Sequence, residues 1–381
     1  MRVAIIHDWL ITTRGGEKCL EVFCELFPSA DVYTLIYAPD RVSSLVKSMN
    51  VHVSRLNDIP RIERVYRYCL PLFPRAIESF DLRDYDLIVS SSHCVAKGVF
   101  PHHALHISYV HAPMRYVWDM HETYFGGAGS LLARVGMSFW RRYLQRWDIA
   151  ASERVDYFLA NSRNVAAKIQ KLYGRQATVI HPPVDFEKFR LGGAQEPYYL
   201  IVSALVPYKR IDVAIRAFNE LRLPLKIVGE GPLRSRLERS AGSNVEFLGW
   251  VDDSALAALY GSCQALIFPG EEDFGIVPLE TQACGRPIIA YEKGGVLETV
   301  IPVAASSQGG GESPPTGIFF SHQTPEALTR AVESFQRMQS RFEPKKIRDH
   351  AAQFSRARFK SQIHEYVQSR LDEWWGAIKP C

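Results

Sequence analysis

The chain has 381 residues, 47% of them hydrophobic and 23% charged, with a formal net charge of +4. At roughly 100–200 residues per domain that length suggests two domains, and the composition excludes a disordered, collagen-like or disulfide-scaffold protein. No apolar run approaches the ~20 residues of a membrane-spanning helix. The N-terminal MRVAIIHDW reads as a strand, not as the apolar core of a signal peptide, so a cytoplasmic chain is expected. The seven cysteines, at 19, 24, 69, 94, 263, 284 and 381, contain no Cys-x-x-Cys pair and read as thiols of a reducing compartment.

In chain order, VAIIH (3–7) reads as a strand and EKCLEVFCELF (17–27) as a helix. DVYTLIY (31–37), LIVSSS (87–92) and HISYVHA (106–112) read as further strands. Asp84-Tyr85-Asp86 imitates a metal-binding Asp-x-Asp but stands just before a strand, where a turn is expected. YFLANS (157–162) leads into the helical VAAKIQKLYG. A Pro- and Gly-rich linker is placed at 182–197, after which the rhythm restarts with YYLIVSAL (198–205) and IDVAIRAFNEL. PLKIVGEG, VEFLGWV, QALIFPG and PIIAY each read as a strand that alternates with an amphipathic stretch. Residues 305–316 (ASSQGGGESPPT) read as a flexible loop before the strand TGIFF. Strand–helix alternation of this kind argues for parallel sheets covered by helices. The expected fold is α/β, with two facing, doubly wound Rossmann-like domains and a ligand crevice at the carboxyl ends of their strands. Their bounds are set at 1–190 and 195–358, with a last helix at about 359–378 packing back on the first domain.

The positive excess is local. Residues 61–75 carry Arg61, Arg64, Arg67 and Arg75 against Glu63, interleaved with Tyr66, Tyr68 and Phe73. Residues 131–147 carry Arg134, Arg141, Arg142 and Arg146, no acid, and Trp140, Tyr143 and Trp147. Mixed basic and aromatic segments suit an anionic membrane surface; the competing reading is a solvated helix face with a buried aromatic side. No nucleic-acid fold motif accompanies them, so no nucleic-acid partner is expected.

Three stretches carry chemistry. Arg14-Gly15-Gly16-Glu17 stands between a strand and a helix, where bare amides suit an anion. Glu271-Glu272-Asp273-Phe274-Gly275-Ile276-Val277-Pro278-Leu279-Glu280 follows a strand and opens a helix. The amides around Gly275, Ile276 and Val277 suit a diphosphate, and Glu272 and Glu280 suit vicinal sugar hydroxyls. Lys209 and Arg210, in VPYKR, stand where a leaving diphosphate needs positive charge.

The combination resembles a retaining glycosyltransferase of family 4 with the GT-B architecture. The motifs GGxE, VPYKR, VGEGP, FLGWV, FPGEEDFGIVPLE and GGVLET occur in the family's order over nearly the whole chain. The stretch Tyr109 to Trp118 (YVHAPMRYVW) is similar to the subgroup of bacterial O-antigen and exopolysaccharide mannosyltransferases. The resemblance implies that Gly15 and Gly16 place amides near the donor's β-phosphate and that His111 lies beside the donor sugar. It further implies that Lys209 neutralises the diphosphate, Glu272 binds sugar hydroxyls and Glu280 binds the ribose. Where the family often has Arg, this chain has Ala204, so neutralisation falls on Lys209, with the orientation of Arg210 left open. The region Gly249 to Asp253 is similar to the base-contacting region of guanine-using mannosyltransferases. Asp253 is accordingly a candidate base contact, and a helix cap is the competing role for Asp252 or Asp253. The implied donor is GDP-mannose and the implied acceptor a lipid-linked saccharide of cell-surface polysaccharide synthesis. A front-face, metal-independent mechanism is expected, with no cofactor, on the inner face of the plasma membrane. A UDP-sugar donor, an epimerase or hydrolase on the same fold, and a non-catalytic sugar-nucleotide binder are the alternatives.

Overall fold

Continuous apolar runs at the strand positions require a sheet covered on both faces, and the fold meets that requirement twice. The structure, a computed structural model, describes residues 1–12, 15–118, 131–303 and 314–378, of which 131–139 and 377–378 by backbone alone. The chain divides into two units, Met1–Pro183 with Ala357–Cys381, and Val184–Arg356. In the first, β1 (Val3–His7), β2 (Asp31–Thr34), β3 (Asn50–Val53), β4 (Leu87–Ser92), β5 (Leu105–Val110), β6 (Tyr157–Ala160) and β7 (Ala177–Val179) form a sheet of order β3-β2-β1-β4-β5-β6-β7. In the second, β8 (Tyr199–Val202), β9 (Leu225–Val228), β10 (Val245–Gly249), β11 (Leu266–Phe268), β12 (Ile288–Tyr291) and β13 (Gly317–Phe320) form a sheet of order β10-β9-β8-β11-β12-β13. The described pairings are parallel. Every residue of β1, β4 and β5 is buried, as parallel strands under two helical layers must be.

The helices of eight residues or more are α1 (Gly15–Leu26), α2 (Leu131–Ser152), α3 (Arg163–Tyr173), α4 (Ile211–Leu221), α5 (Asp253–Ser262), α6 (Ile276–Ala283), α7 (Pro325–Met338), α8 (Pro344–Ala352) and α9 (Arg356–Ile378). The last of these crosses back to the first unit. Its Phe359, Ile363, Val367 and Leu371, spaced by four, share one core with Phe23, Leu87, Ile107 and Tyr109. Burying four such side chains contributes about 1.5–3 kcal/mol each. The start of the second unit lies earlier than its Pro/Gly-rich stretch suggests. Val184 and Phe189 are buried in the second unit's core, and the Val184 amide donates to the Phe354 carbonyl at 2.8 Å. Asp84-Tyr85-Asp86 lies in the turn before β4, where Asp86 accepts from the Arg2 amide at 2.6 Å and Asp84 from its guanidinium. Residues 305–313 of the expected loop lie outside the described residues.

Both sheets reverse their strand order once, between β1 and β4 and between β8 and β11. The loops leaving those strands diverge to opposite faces and open a crevice at the carboxyl ends.

His106 on β5 illustrates how the fold treats a buried imidazole. The Arg154 carbonyl can only accept, so Nδ1 carries the proton and donates to it at 3.0 Å, and Nε2 accepts from the Ser90 hydroxyl at 2.9 Å. Complete burial lowers its pKa to about 4. Between that value and the unfolded 6.5, the unfolded chain binds a proton that the folded chain does not. The stability from this group is thus full above pH 6.5 and is lost as pH falls toward 4, by about 1.4 kcal/mol per pH unit. Urea unfolding followed across that window will show a slope to which the buried His7 and His111 also contribute, and His106→Asn will reduce it by about this one group's share.

Candidate active site

Two polar clusters form, one at each switch point. In the second unit Lys209 ends a single helical turn, Pro207–Lys209, in the loop that follows β8, and Glu272 stands in the loop that follows β11. Their side chains form an ion pair, 13% and 21% exposed. Glycine permits this meeting. A Cβ on Gly270 would stand 2.9 Å from Lys209 Cα and 3.1 Å from the carbonyls of Tyr208 and Lys209. The second loop is held from the other side. Glu272 bridges Gly294 in parallel register, and the Gly295 amide donates to the Glu272 carbonyl at 2.8 Å. A Cβ on Gly295 would lie 2.3 Å from the Asp273 carbonyl oxygen and 2.4 Å from Phe274 Cα. The GGVLET and EEDFG segments, distant in sequence, thus form one backbone unit.

The loop runs into α6, whose N-cap is Gly275 with no side-chain cap. Ile276 and Val277 open the helix and Pro278 has no amide to offer, so the positive end of the helix dipole rests on the amides of Gly275, Ile276 and Val277. The ring of Phe274, one of the expected donor-binding positions of this loop, turns into the core, 6.3 Å from Phe354. Glu280, one and a half turns into α6, is 6% exposed and accepts a 3.0 Å hydrogen bond from Tyr260 of α5. Tyr260 is a site residue the sequence reading missed. A tyrosine in the small-residue run ALAALYGS was the available signal, and burial beside Glu280 raises its pKa well above the ordinary phenol value.

Two expected residues stand apart. Arg210 reaches Asp212 and Gln323, each at 3.4 Å, so its guanidinium is engaged away from Lys209. Asp252 is the helix cap, accepting from the amides of Ser254 and Ala255 at 2.9 Å. Asp253, 68% exposed, pairs with Lys188.

In the first unit the chain places Gly16 and His111 together. Gly15 and Gly16 open α1; Arg14 lies outside the described residues. A Cβ built on Gly16 would stand 3.7 Å from His111 Nε2 and 3.8 Å from His7 Cε1, ordinary contact distances. His111 Nε2 is 2.9 Å from the Ser91 hydroxyl, and Asn161 donates to the His111 carbonyl at 2.9 Å. Burial, then the nearby His93 and Arg115, lower the His111 pKa to about 3, so the ring is neutral. Asp8, buried at the end of β1, accepts four backbone hydrogen bonds from His93 to Ala96 at 2.6–2.9 Å, fixing the loop after β4. His93 Nδ1 lies 3.1 Å from the same carboxylate. From the sequence, His7 and His93 carry no chemistry beyond acceptor-side polarity; their convergence on His111 depends on strand order.

Two doubly wound units with polar clusters at both switch points define the class: a GT-B protein. Residues 13–188 match the family described as Glycosyltransferase Family 4, and residues 184–356 match Glycosyl transferases group 1. The chain belongs to this glycosyltransferase family. The fold is similar to that of a sucrose-phosphate synthase from Thermosynechococcus elongatus, at 18% identity and a TM-score of 0.73, covering 98% of this chain and 100% of that one. Three relatives in sequence are similar over part of their length. An O-antigen chain mannosyltransferase C from Escherichia coli is 34% identical over 37% of this chain and 43% of its own. A GDP-mannose-dependent alpha-(1-6)-phosphatidylinositol monomannoside mannosyltransferase from Mycolicibacterium smegmatis is 31% identical over 37% and 45%. A D-inositol 3-phosphate glycosyltransferase from Catenulispora acidiphila is 31% identical over 39% and 43%. Each match spans less than half of the relative's own length.

The two glycines predict opposite outcomes in thermal unfolding. Gly295→Ala forces the Glu272 loop aside and costs about 1–3 kcal/mol. Gly16→Ala fits the free protein and, in the first turn of a helix, stabilises it by about 0.4–1 kcal/mol.

Proposed function

We propose that the protein is a retaining glycosyltransferase that moves mannose from GDP-mannose to a lipid-linked saccharide in cell-surface polysaccharide synthesis. The observation that carries the reading is the meeting of Lys209, Glu272 and the uncapped start of α6 at one switch point. A donor diphosphate takes hydrogen bonds from the α6 amides and charge from Lys209. Glu272, released from the ammonium, accepts from hydroxyls of the transferred sugar. Glu280, oriented by Tyr260, accepts from the ribose hydroxyls. In the first unit, the family resemblance assigns the amides of Gly15 and Gly16 to the β-phosphate and the neutral His111 to the donor sugar. The glycosidic bond breaks as charge builds on the diphosphate. The acceptor hydroxyl attacks from that same face and passes its proton to the departing phosphate oxygen, which retains the anomeric configuration. The charge is supplied by Lys209 and the helix amides, with no metal assigned.

The base assignment rests on Asp253, since Asp252 serves the helix cap. A carboxylate accepts from both N1–H and the 2-amino group of guanine, which uracil lacks. The names of the mannosyltransferase relatives support mannose; a UDP-sugar donor is the second reading. Titration with GDP and UDP separates the two, and tighter binding of UDP would remove the GDP-mannose assignment. Lys209→Ala and Glu272→Ala are each expected to lower turnover at least 100-fold, the loss typical of an electrostatic stabiliser, while the fold persists at a lowered unfolding midpoint because the remaining charge loses its partner. Near-parental nucleoside diphosphate release by both variants would remove the site.

Membrane contact is part of the same proposal. The segments around Phe73 and Trp147 bury their apolar sides in one core, and Trp147 Nε1 donates to Glu78. Outside that core stand Tyr68, 85% exposed, with Leu72, Trp140 and Tyr143, and Arg64, Arg67, Arg142 and Arg146 of the same two segments are exposed as well. Arg141 is engaged with the Val117 carbonyl at 3.0 Å, and the side chain of Arg134 lies outside the described residues. Co-sedimentation with anionic vesicles is therefore expected to fall in an Arg67→Ala, Arg142→Ala double variant. Equal sedimentation with neutral vesicles would dismiss the contact.

A further inference from the structure

We infer that His7, with Gly16 at the start of α1 and His111, forms a subsite in the first unit that takes hydroxyl groups of a sugar substrate. The inference rests on the glycosyl-transfer reading above and assigns a residue that reading does not use.

His7 is wholly buried, and among the described residues neither Nδ1 nor Nε2 has a hydrogen-bond partner. Folded proteins pair nearly all such groups, because an orphaned donor or acceptor costs its full desolvation. This unit pairs His106 on both nitrogens, whereas His7 leaves both bare. The direction of the ring is informative. Cε1, the atom between the two nitrogens, is the His7 atom nearest the Gly16 position, at 3.8 Å from a built Cβ. The whole N–C–N edge therefore faces the first turn of α1. The Nε2 and Cε1 atoms of His111 stand 3.7 and 3.8 Å from the same point, so two imidazoles converge there. His7 is also the last residue of β1, at the strand-order reversal where doubly wound sheets hold ligands.

The chemistry selects the ligand. Burial, then His93, lower the His7 pKa to about 3, so the ring is neutral, with one N–H donor and one acceptor nitrogen. A phosphate dianion only accepts and would leave the second nitrogen bare. Hydroxyls both donate and accept, and a pyranose ring presents several in fixed positions. Gly16 matches this role, since the space its missing side chain leaves is bounded by both imidazoles.

The test compares His7→Phe and His7→Gln with the parent protein. Binding of GDP-mannose, or of UDP-glucose where the parent prefers it, is titrated beside the matching nucleoside diphosphate. His7→Phe removes both nitrogens and their desolvation, so its unfolding midpoint is expected to equal or exceed the parent's. Nucleotide-sugar binding should weaken about tenfold while nucleoside diphosphate binding stays unchanged, the loss expected for missing hydrogen bonds. His7→Gln, which keeps a donor and an acceptor, should recover part of the loss and serves alone should the Phe variant fail to fold. Unchanged sugar-nucleotide binding with a raised KM for a detergent extract of polyprenyl-linked saccharides would place the hydroxyl on the acceptor, and also supports the subsite. Parental binding and turnover in both variants would overturn it, with a buried water as the occupant of the site. Equal loss of nucleoside diphosphate and nucleotide-sugar binding would overturn it in favour of a structural role. A parent that binds no nucleotide sugar would remove the glycosyl-transfer reading first, and the subsite with it.

Discussion

The second unit depends on a close approach between two loops that leave adjacent parallel strands. β8 and β11 lie side by side, yet their loops start toward opposite faces. Lys209 and Glu272 meet only because the backbone beside Lys209 encounters no side chain at Gly270, and because Gly295 lets a third loop press against Asp273 and Phe274. These contacts are backbone against backbone, so no rotamer change relieves a larger residue. The pair is also half-buried, where a lone ammonium or carboxylate would be costly to desolvate. Each charge holds the other in place in the free protein.

The first unit achieves a similar end by a different route. Asp8 takes four backbone amides and the His93 ring, so the loop after β4 is fixed by one carboxylate rather than by apolar packing. With that loop fixed, three imidazoles gather where α1 begins. One of them, His7, carries an unmet hydrogen-bonding demand that a purely structural core would have replaced with an apolar ring. Stability given up at a switch point is a common cost of a binding surface.

How much of this was legible in the sequence follows from which signals are local. The parallel α/β fold was readable because strands buried on both faces carry short apolar runs, VAII in β1 and LIV in β4. β3, Asn50–Val53, was not readable, because its residues are half-exposed or exposed at a sheet edge and carry no such run. The loop motifs that hold Lys209, Glu272 and Glu280 announced themselves by composition. Their neighbours did not: Tyr260 reaches Glu280 from another helix, and Arg210 differs from Lys209 only in the direction of its side chain. The choice between capping and base contact at 252 and 253 likewise depended on φ and ψ, which place Asp252 at the extended N-cap. The histidines at 7 and 93 became a cluster only once β1 and β4 were known to be neighbours.

The Lys209–Glu272 pair bears on the order of binding. In the free protein the two charges cancel, so on the proposed reading an incoming diphosphate meets little beyond the α6 amides, about half an elementary charge. On the proposed reading, drawing Lys209 onto the diphosphate leaves the half-buried Glu272 without its cation, and a carboxylate so placed needs hydrogen-bond donors. An intact nucleotide sugar brings them as hydroxyls on the transferred ring. A nucleoside diphosphate brings none. Recognition of the sugar and of the diphosphate is then coupled through one ion pair, and the same coupling weakens the hold on the nucleotide once the sugar has left. With Ala204 in place of a further cation and Arg210 committed to Gln323, no second positive side chain in this loop blunts that discrimination.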